Sequence, residues 1–430
     1  MKKFLSFMLV ISMFLLLSLN IGYAKQINLK FYYPVGVSGP LAKVIDGMVS
    51  QFNKENPGIK VTPVFAGSYF DTMTKVQATI MGGNPPDVAI LLSVDLFSLM
   101  DMDAIVSLDD FIASSKDGEA YIKDFFPAFM ENSTFGGKVW SIPFQRSTPI
   151  LYYNKDAFRE VGLDPNKPPK TWDELVAYGK KLIKKNSKGE VTRWAVAIPI
   201  SGGHIWTFEP FPIQAGLDGL ASDDGKSVFF NHNLTKRALQ FVYDLSRKYG
   251  IMQKGLIGWG KLPSEFLAGR IAMIYHSTGS LTFIRKNAKI DFGVAFLPGD
   301  KRFGAPTGGG NFYIFKKIPK DHQKAAWKFI RFMTTPENGA KWSMASGYIG
   351  VRKAVYETPI MKDFVSKHPK YLVAKEQLKY AKKEFSVHNR AKVAKCLFDA
   401  INEVLLGQKE VSPALDEAQK KADEILKEFK

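Results

Sequence analysis

Residues 28–65 read NLKFYYPVGVSGPLAKVIDGMVSQFNKENPGIKVTPVF. Asn28 to Tyr33 is a run of strand length, and the Gly-Val-Ser-Gly-Pro soon after it supplies a turn. Leu41, Val44, Ile45, Met48, Val49 and Phe52 then recur at the spacing of one helix face. Asn56-Pro57-Gly58 stops that helix, and Ile59 to Phe65 forms a second strand. The rhythm repeats: a helix from about Tyr69 carries Met73, Val76 and Ile80, ends at Gly82-Gly83-Asn84-Pro85-Pro86, and gives way to a strand at Asp87 to Leu92. Strand, helix, strand, helix, strand predicts an α/β chain whose parallel sheet is covered on both faces.

Further along, Trp140 to Pro143 and Pro149 to Asn154 read as extended segments on either side of a polar Gln-Arg-Ser-Thr. Thr171 and Glu174 have the spacing of a capping box, with Trp172, Leu175, Tyr178, Leu182 and Ile183 on the buried side of the helix they open. Helices are predicted over 233–249, 320–334, 336–346 and 390–405, and Ser412-Pro413 opens a last one. No repeat and no low-complexity linker interrupts the chain. Its length exceeds what one hydrophobic core supports, so two domains are expected, joined by more than one chain crossing and therefore by a hinge rather than a tether.

Lys2 and Lys3, the apolar run from Phe4 to Leu19 and the small residues around Ala24 have the form of a secretory signal, predicted to be removed after residue 24. The exported product is then expected to be soluble and extracytoplasmic. Cys396 is the only cysteine, so no intrachain disulfide forms and core burial alone must hold the fold. Cys396 falls in a helical stretch among apolar neighbours, which reads as a packing position. The formal charge is +18. The basic pairs are scattered along helices, the pattern of solvated faces, and export argues against nucleic acid as a partner.

Motifs for chemistry are absent. There is no Gly-x-Ser-x-Gly elbow and no phosphate-binding Gly-x-x-x-x-Gly-Lys-Ser/Thr loop, and the six histidines show no metal spacing. Asp87, Asp95 and Glu265 are the carboxylates a glycosidase would have to pair, and no motif selects them. Neither an enzyme nor a cofactor or metal site is expected.

The stretch 147–175, STPILYYNKDAFREVGLDPNKPPKTWDEL, resembles the extracellular solute-binding proteins of ABC importers, in the cluster that includes maltose-binding proteins. FNKENPGIKV at 52–61, GNPPDV at 83–88, FLAGRIAM at 266–273, STGSL at 277–281 and GGGNF at 308–312 extend the likeness along the chain. Within the family it is most similar to the branch that binds sn-glycerol 3-phosphate. The resemblance implies a type II periplasmic-binding-protein fold, each lobe a mostly parallel sheet covered by helices. It implies an N-terminal lobe of 25–143 plus about 288–345 and a C-terminal lobe of 144–287 plus about 346–430. It also implies a monomer that hands a small polar solute, a glycerol phosphate or a sugar, to a membrane permease and its ATPase.

The resemblance further implies that Tyr69, Ser147, Ser277, Gly309 and Tyr348 bind the ligand. A family glutamate falls at Ser93, with Asp95 two residues on, and a family arginine falls at Ala394, with Arg390, Lys392 and Lys395 nearby. The residue chemistry is consistent with a polyol or its phosphate. Ser277 precedes a helical run, Gly308-Gly309-Gly310 lets backbone amides approach a ligand, and Tyr69 and Tyr348 offer hydroxyls and flat faces. Arg146 offers a bidentate fork for phosphate, and Trp206 and Trp259 are faces on which a sugar ring could stack.

Overall fold

The computed structural model describes residues 26–37, 39–200 and 205–430. The predicted signal segment, and His204, lie outside them. The opening alternation is present as read: β1 (Ile27–Tyr33), α1 (Leu41–Glu55), β2 (Ile59–Phe65), α2 (Tyr69–Met81) and β3 (Val88–Leu92). Leu41, Ile45, Met48, Val49 and Phe52 are the buried stripe of α1.

Two five-stranded sheets follow from the remaining strands: β4 (Ile142–Ser147), β5 (Pro149–Asn154), β6 (Lys184–Lys185), β7 (Val191–Ala197), β8 (Ile271–Ser277), β9 (Phe292–Ala295) and β10 (Gly308–Ile314). The first sheet has the order β2-β1-β3-β10-β4 and the second β9-β5-β8-β7-β6. The first sheet is mostly parallel, and the second is mixed. Parallel pairing joins β2, β1 and β3 in the first sheet and β7 to β8 in the second, while β10, β4, β5, β9 and β6 pair antiparallel to their neighbours. In the first sheet β10 alone runs against the rest: it returns from the other sheet between β3 and β4, antiparallel to both, so β4 runs parallel to β1, β2 and β3.

These memberships also move two of the expected lobe limits. β4 pairs with β10 in the first sheet as far as Ser147, so a limit at 143/144 cuts through a strand. β9 pairs with β5 in the second sheet, so the chain returns to the first sheet after Ala295 and not near 288. Both crossings are tied by one side chain. The Gln377 amide donates to Thr148 Oγ1 at 3.0 Å and to Pro149 O at 2.8 Å, and its oxygen accepts from the Leu297 amide at 3.0 Å.

The predicted helices are present as α3 (Trp172–Leu182), α4 (Asn233–Arg247), α5 (Lys320–Met333), α6 (Pro336–Ser346), α7 (Arg390–Leu406) and α8 (Val411–Leu426). Thr171 caps α3, but the Glu174 carboxylate accepts from Lys170 N rather than closing a box. The reciprocal box is at α2, where Ser68 and Asp71 each satisfy the other's backbone amide. Cys396 is only partly buried on α7, at the edge of the core.

An aromatic stack fills the space between the first sheet and its helices. Phe312 of β10 lies 4.8 Å from Phe144, 5.7 Å from Phe31 and 6.2 Å from Phe329 on α5, and Phe329 in turn meets Phe52 on α1 at 5.1 Å. Phe312 is fully buried in this stack. Phe312→Ala is expected to cost ~3–5 kcal/mol in equilibrium urea unfolding. A cost below ~1 kcal/mol would show that the stack collapses around the gap rather than holding the sheet.

Candidate ligand-binding cleft

The two sheets aim the ends of their strands at one cavity of about 200 Å³. Five of the residues picked from the sequence line it: Tyr69, Ser147, Ser277, Gly309 and Tyr348. Ser147 and Ser277 are the last residues of β4 and β8, and Gly309 is the second residue of β10. Tyr69 is the first residue of α2, its position set by the Ser68–Asp71 capping box. Gly309 has φ +95°, and a Cβ there would stand 1.9 Å from Gln145 O, so only glycine fits. Gly308 makes room for Trp206, whose indole carbon would be 2.5 Å from a Cβ.

The two tyrosines work as a pair. Tyr69 donates to Gln145 Oε1 at 2.7 Å, and its hydroxyl also hydrogen-bonds to that of Tyr348. Burial raises both phenols, Tyr348 to about 12 and Tyr69 well above its ordinary value. Both are therefore neutral hydroxyls at any working pH. Ser277 Oγ accepts from Gly279 N at 3.0 Å, which closes the turn leading to the short helix beyond it.

Arg146 is not in the cleft. Its guanidinium is fully buried behind β10, donating to Gly309 O at 3.2 Å, Asn311 Oδ1 at 3.4 Å and Thr307 Oγ1 at 2.8 Å. As an inward residue of β4 it holds two strands together and does not line the cavity. Ser93 does not line the cavity either. It is fully buried and donates to Glu384 Oε2 at 3.4 Å.

The charges that do line the cavity are Glu384 and Arg390. Arg390 is the first residue of α7, with its guanidinium 4.0 Å from the Asp95 carboxylate. Ala394, one turn further on, packs into the core of the second sheet, and Lys392 and Lys395 face a separate surface groove. Of the residues at and around the family arginine's position, Arg390, one helical turn before Ala394, is the one that lines the cavity. Glu384 lies in the segment leading to α7, a region with no pattern to draw attention to it. Its backbone is clamped by Asn132, which accepts from Glu384 N at 3.0 Å and donates to Glu384 O at 3.0 Å.

Trp206 and Trp259 form an aromatic wall on the same cavity, their rings 6.0 Å apart. Trp206 Nε1 donates to Thr307 O at 2.8 Å, and Trp259 stacks on His276 at 3.9 Å. Burial lowers the His276 imidazole to about 3, so it stays neutral. Among the described residues no His, Cys, Asp and Glu cluster has the makings of a metal site.

A cleft of this kind between two sheets has many counterparts. Residues 47–372 match the family model described as bacterial extracellular solute-binding protein. The chain belongs to the bacterial extracellular solute-binding proteins. This solute-binding protein is 28% identical to the sn-glycerol-3-phosphate-binding periplasmic protein UgpB of Shigella dysenteriae over 91% of each chain, and equally so to UgpB of Escherichia coli K12. Its structure is similar to that of UgpB from Mycobacterium tuberculosis in complex with glycerophosphocholine, with a TM-score of 0.80, 25% identity and 94% and 99% of the two chains covered. The maltotriose-bound MalE domain of Bdellovibrio bacteriovorus shares the two-lobed fold at a TM-score of 0.78 and 20% identity, over 93% and 100% of the chains. No helix among the described residues is long and apolar enough to cross a membrane.

Arg146→Lys removes at least one of three buried hydrogen bonds and is expected to destabilise this solute-binding protein by ~1–3 kcal/mol in urea unfolding. An unchanged midpoint would mean that the guanidinium does not hold β4 to β10. A second expectation concerns pH. Burial raises the Glu384 carboxyl from 4.5 to about 7, against the opposing pull of Arg146 and Arg390. Between those values the unfolded chain ionises while the folded one keeps its proton, so stability from this group falls as pH rises from 4.5 through 7. Replacing Glu384 with Gln removes that dependence. The melting temperature of Glu384→Gln relative to the parent is expected to rise from pH 5 to pH 8, and a constant difference would contradict the assignment.

Proposed function

We propose that the chain is the solute-capturing component of an ABC importer, closing its lobes over sn-glycerol 3-phosphate or a glycerophosphodiester and presenting it to a permease with its ATPase. The observation that carries this reading is Arg390. It sits at the head of α7 on the same cavity as Ser147, Ser277, Gly309 and Tyr348, so an anion-binding cation joins a ring of neutral hydroxyl and backbone groups. The curated relatives matched over 91% of the chain carry the name of sn-glycerol 3-phosphate binders, and the solved relative holds a glycerophosphodiester. The apolar leader supports export, and the reading takes the protein as a monomer outside the cytoplasm.

The cavity, at about 200 Å³, is below the roughly 300–1,000 Å³ of sites for drug-sized ligands, which favours a solute of few heavy atoms over a trisaccharide. A sugar is the second reading. It is favoured by the two tryptophans on the same cavity. Catalysis is not part of either: Glu384 is the one carboxylate residue lining the cavity among the described residues, where glycoside hydrolysis needs two flanking the bond.

Isothermal titration of the mature protein, stripped of ligand by unfolding and refolding, decides between them. Heat with sn-glycerol 3-phosphate or glycerophosphocholine, and its loss by at least ~10-fold in affinity in Arg390→Ala, is the expected result, since a hydrogen bond to a charged group contributes about 1.5–3 kcal/mol. Tyr69→Phe and Ser147→Ala each remove one neutral hydroxyl and are expected to weaken binding ~2- to 10-fold. Heat with mono- or disaccharides alone would replace the phosphate reading with the sugar one.

A further inference from the structure

Glu384 stands out in the cleft because the protein itself barely satisfies it. It is 4% exposed, and the hydrogen bond its carboxylate makes within the protein is a long one, 3.4 Å from Ser93 Oγ. A buried carboxylate needs several donors, and an ionised one with so few is costly. The chain nonetheless holds it rigidly, with both backbone groups of Glu384 bonded to Asn132 and the next amide, Phe385 N, donating to Glu209 Oε2 at 3.0 Å. A rigidly presented, under-bonded acceptor on a cavity wall is built to receive donors that arrive with the ligand. The other polar groups around the cavity leave that task open: Arg390 is a cation, and the Tyr69 hydroxyl already donates to Gln145.

We propose that Glu384 is the specificity-determining acceptor for the hydroxyl groups of the ligand, so that the cleft selects a polyol-bearing solute over the same anionic group without hydroxyls. This rests on the reading of the cavity as the solute site. Selection follows because an analogue lacking the hydroxyls would leave the buried carboxylate unpaired, a loss far larger than that of a missing methylene.

The charged and titratable groups facing Glu384 are Asp95 beyond β3, Arg146 on β4, Arg390 on α7, Glu209, and the phenols of Tyr69 and Tyr313. Burial and neighbouring Asp95 push the Glu384 carboxyl up, and Arg146 and Arg390 pull it down. Ligand hydroxyls bind the ionised form, so affinity for a diester rises with pH as Glu384 loses its proton. Its phosphate carries a single fixed charge over this range, which keeps the ligand out of the profile.

The experiment compares the parent, Glu384→Gln and Glu384→Ala by calorimetric titration with glycerophosphocholine and with ethyl phosphocholine, a phosphodiester of the same charge that lacks the hydroxyls, at pH 5.5 and pH 8. In the parent, glycerophosphocholine is expected to bind more tightly than ethyl phosphocholine and more tightly at pH 8 than at pH 5.5. Both variants are expected to lose ~10- to 100-fold for glycerophosphocholine, to lose most of the preference over ethyl phosphocholine, and to show a flat pH profile. The parent profile needs no variant and survives one that misfolds. Unchanged affinity in folded variants overturns the proposal, as does a pH profile that persists in Glu384→Gln, which would place the titration on Asp95. If the parent ignores glycerophosphocholine but binds maltose, the glycerophosphate reading falls alone. The same variants titrated with maltose then decide the role of Glu384, loss supporting it and no change overturning it. A parent that binds neither overturns both.

Discussion

A fully buried guanidinium sits where the chain passes between the lobes. Arg146 precedes by two residues the crossing from β4 to β5, and its donors reach Thr307, Gly309 and Asn311 on the chain that returns into β10. Asn311 carries the network on, donating to Ser133 Oγ and Ser141 Oγ at 2.9 Å each. A buried charge is tolerated only where hydrogen bonds and counter-charge surround it, and this one therefore dictates the position of everything that supplies them. Two of the cavity's residues, Ser147 and Gly309, are immediate neighbours of that network. The cation read from the sequence as a ligand group instead holds the strands that carry Ser147 and Gly309 to the cavity.

The cleft's electrostatics follow from keeping charges dry. Burial raises Asp95 to about 6 and Glu209 well above its ordinary value, and Glu384 moves the same way. Arg146 and Arg390 oppose the shifts, but two cations stand against three acids, and at neutral pH part of the acid charge is held as protons. An arriving anion near Arg390 would reinforce that tendency, whereas ligand hydroxyls directed at Glu384 favour the ionised form. A ligand carrying both an anionic group and hydroxyls leaves the cluster closest to balance, which is why the charges suit a polyol phosphate better than a neutral sugar or a bare phosphate.

The elements legible in the sequence were those with strong periodicity and plain stops. α1 shows its whole buried stripe, and the limits of α5 and α6 agree with the spacing to within a residue. The parallel start was legible because strand and helix alternate there. The antiparallel return of β10 was not, since pairing direction depends on where the chain has been and not on local composition. The same distinction runs through the site. Tyr69, Ser147, Ser277, Gly309 and Tyr348 sit in stretches with recognisable motifs and line one cavity. Arg390 lies one helical turn before Ala394, a separation that local sequence alone does not resolve where a loop precedes the helix. Glu384 had no signal at all. Its role depends on Asn132 and Ser93, which are 252 and 291 residues away in the chain.

The segment from Glu384 to Arg390 links recognition to closure. Ser386 Oγ donates to Val94 O at 3.1 Å, and His388 Nδ1 lies 2.6 Å from Asp101 Oδ1, so it is fastened to the chain beyond β3 of the first sheet. Phe385 and His388 also donate their amides to Glu209 Oε2 and to Gly225 O, on the chain between β7 and β8 of the second sheet. One strap of seven residues therefore bridges both lobes and carries the cavity's carboxylate and its cation at its two ends. Any rotation of the lobes that broke the bonds to Val94 and Asp101 would also carry Glu384 away from Ser93 and Arg390 away from Asp95. The contacts of the strap with both lobes and the placement of Glu384 and Arg390 on the cavity thus rest on the same seven residues, and a ligand bridging Glu384 and Arg390 would stabilise closure through differential binding to the closed state.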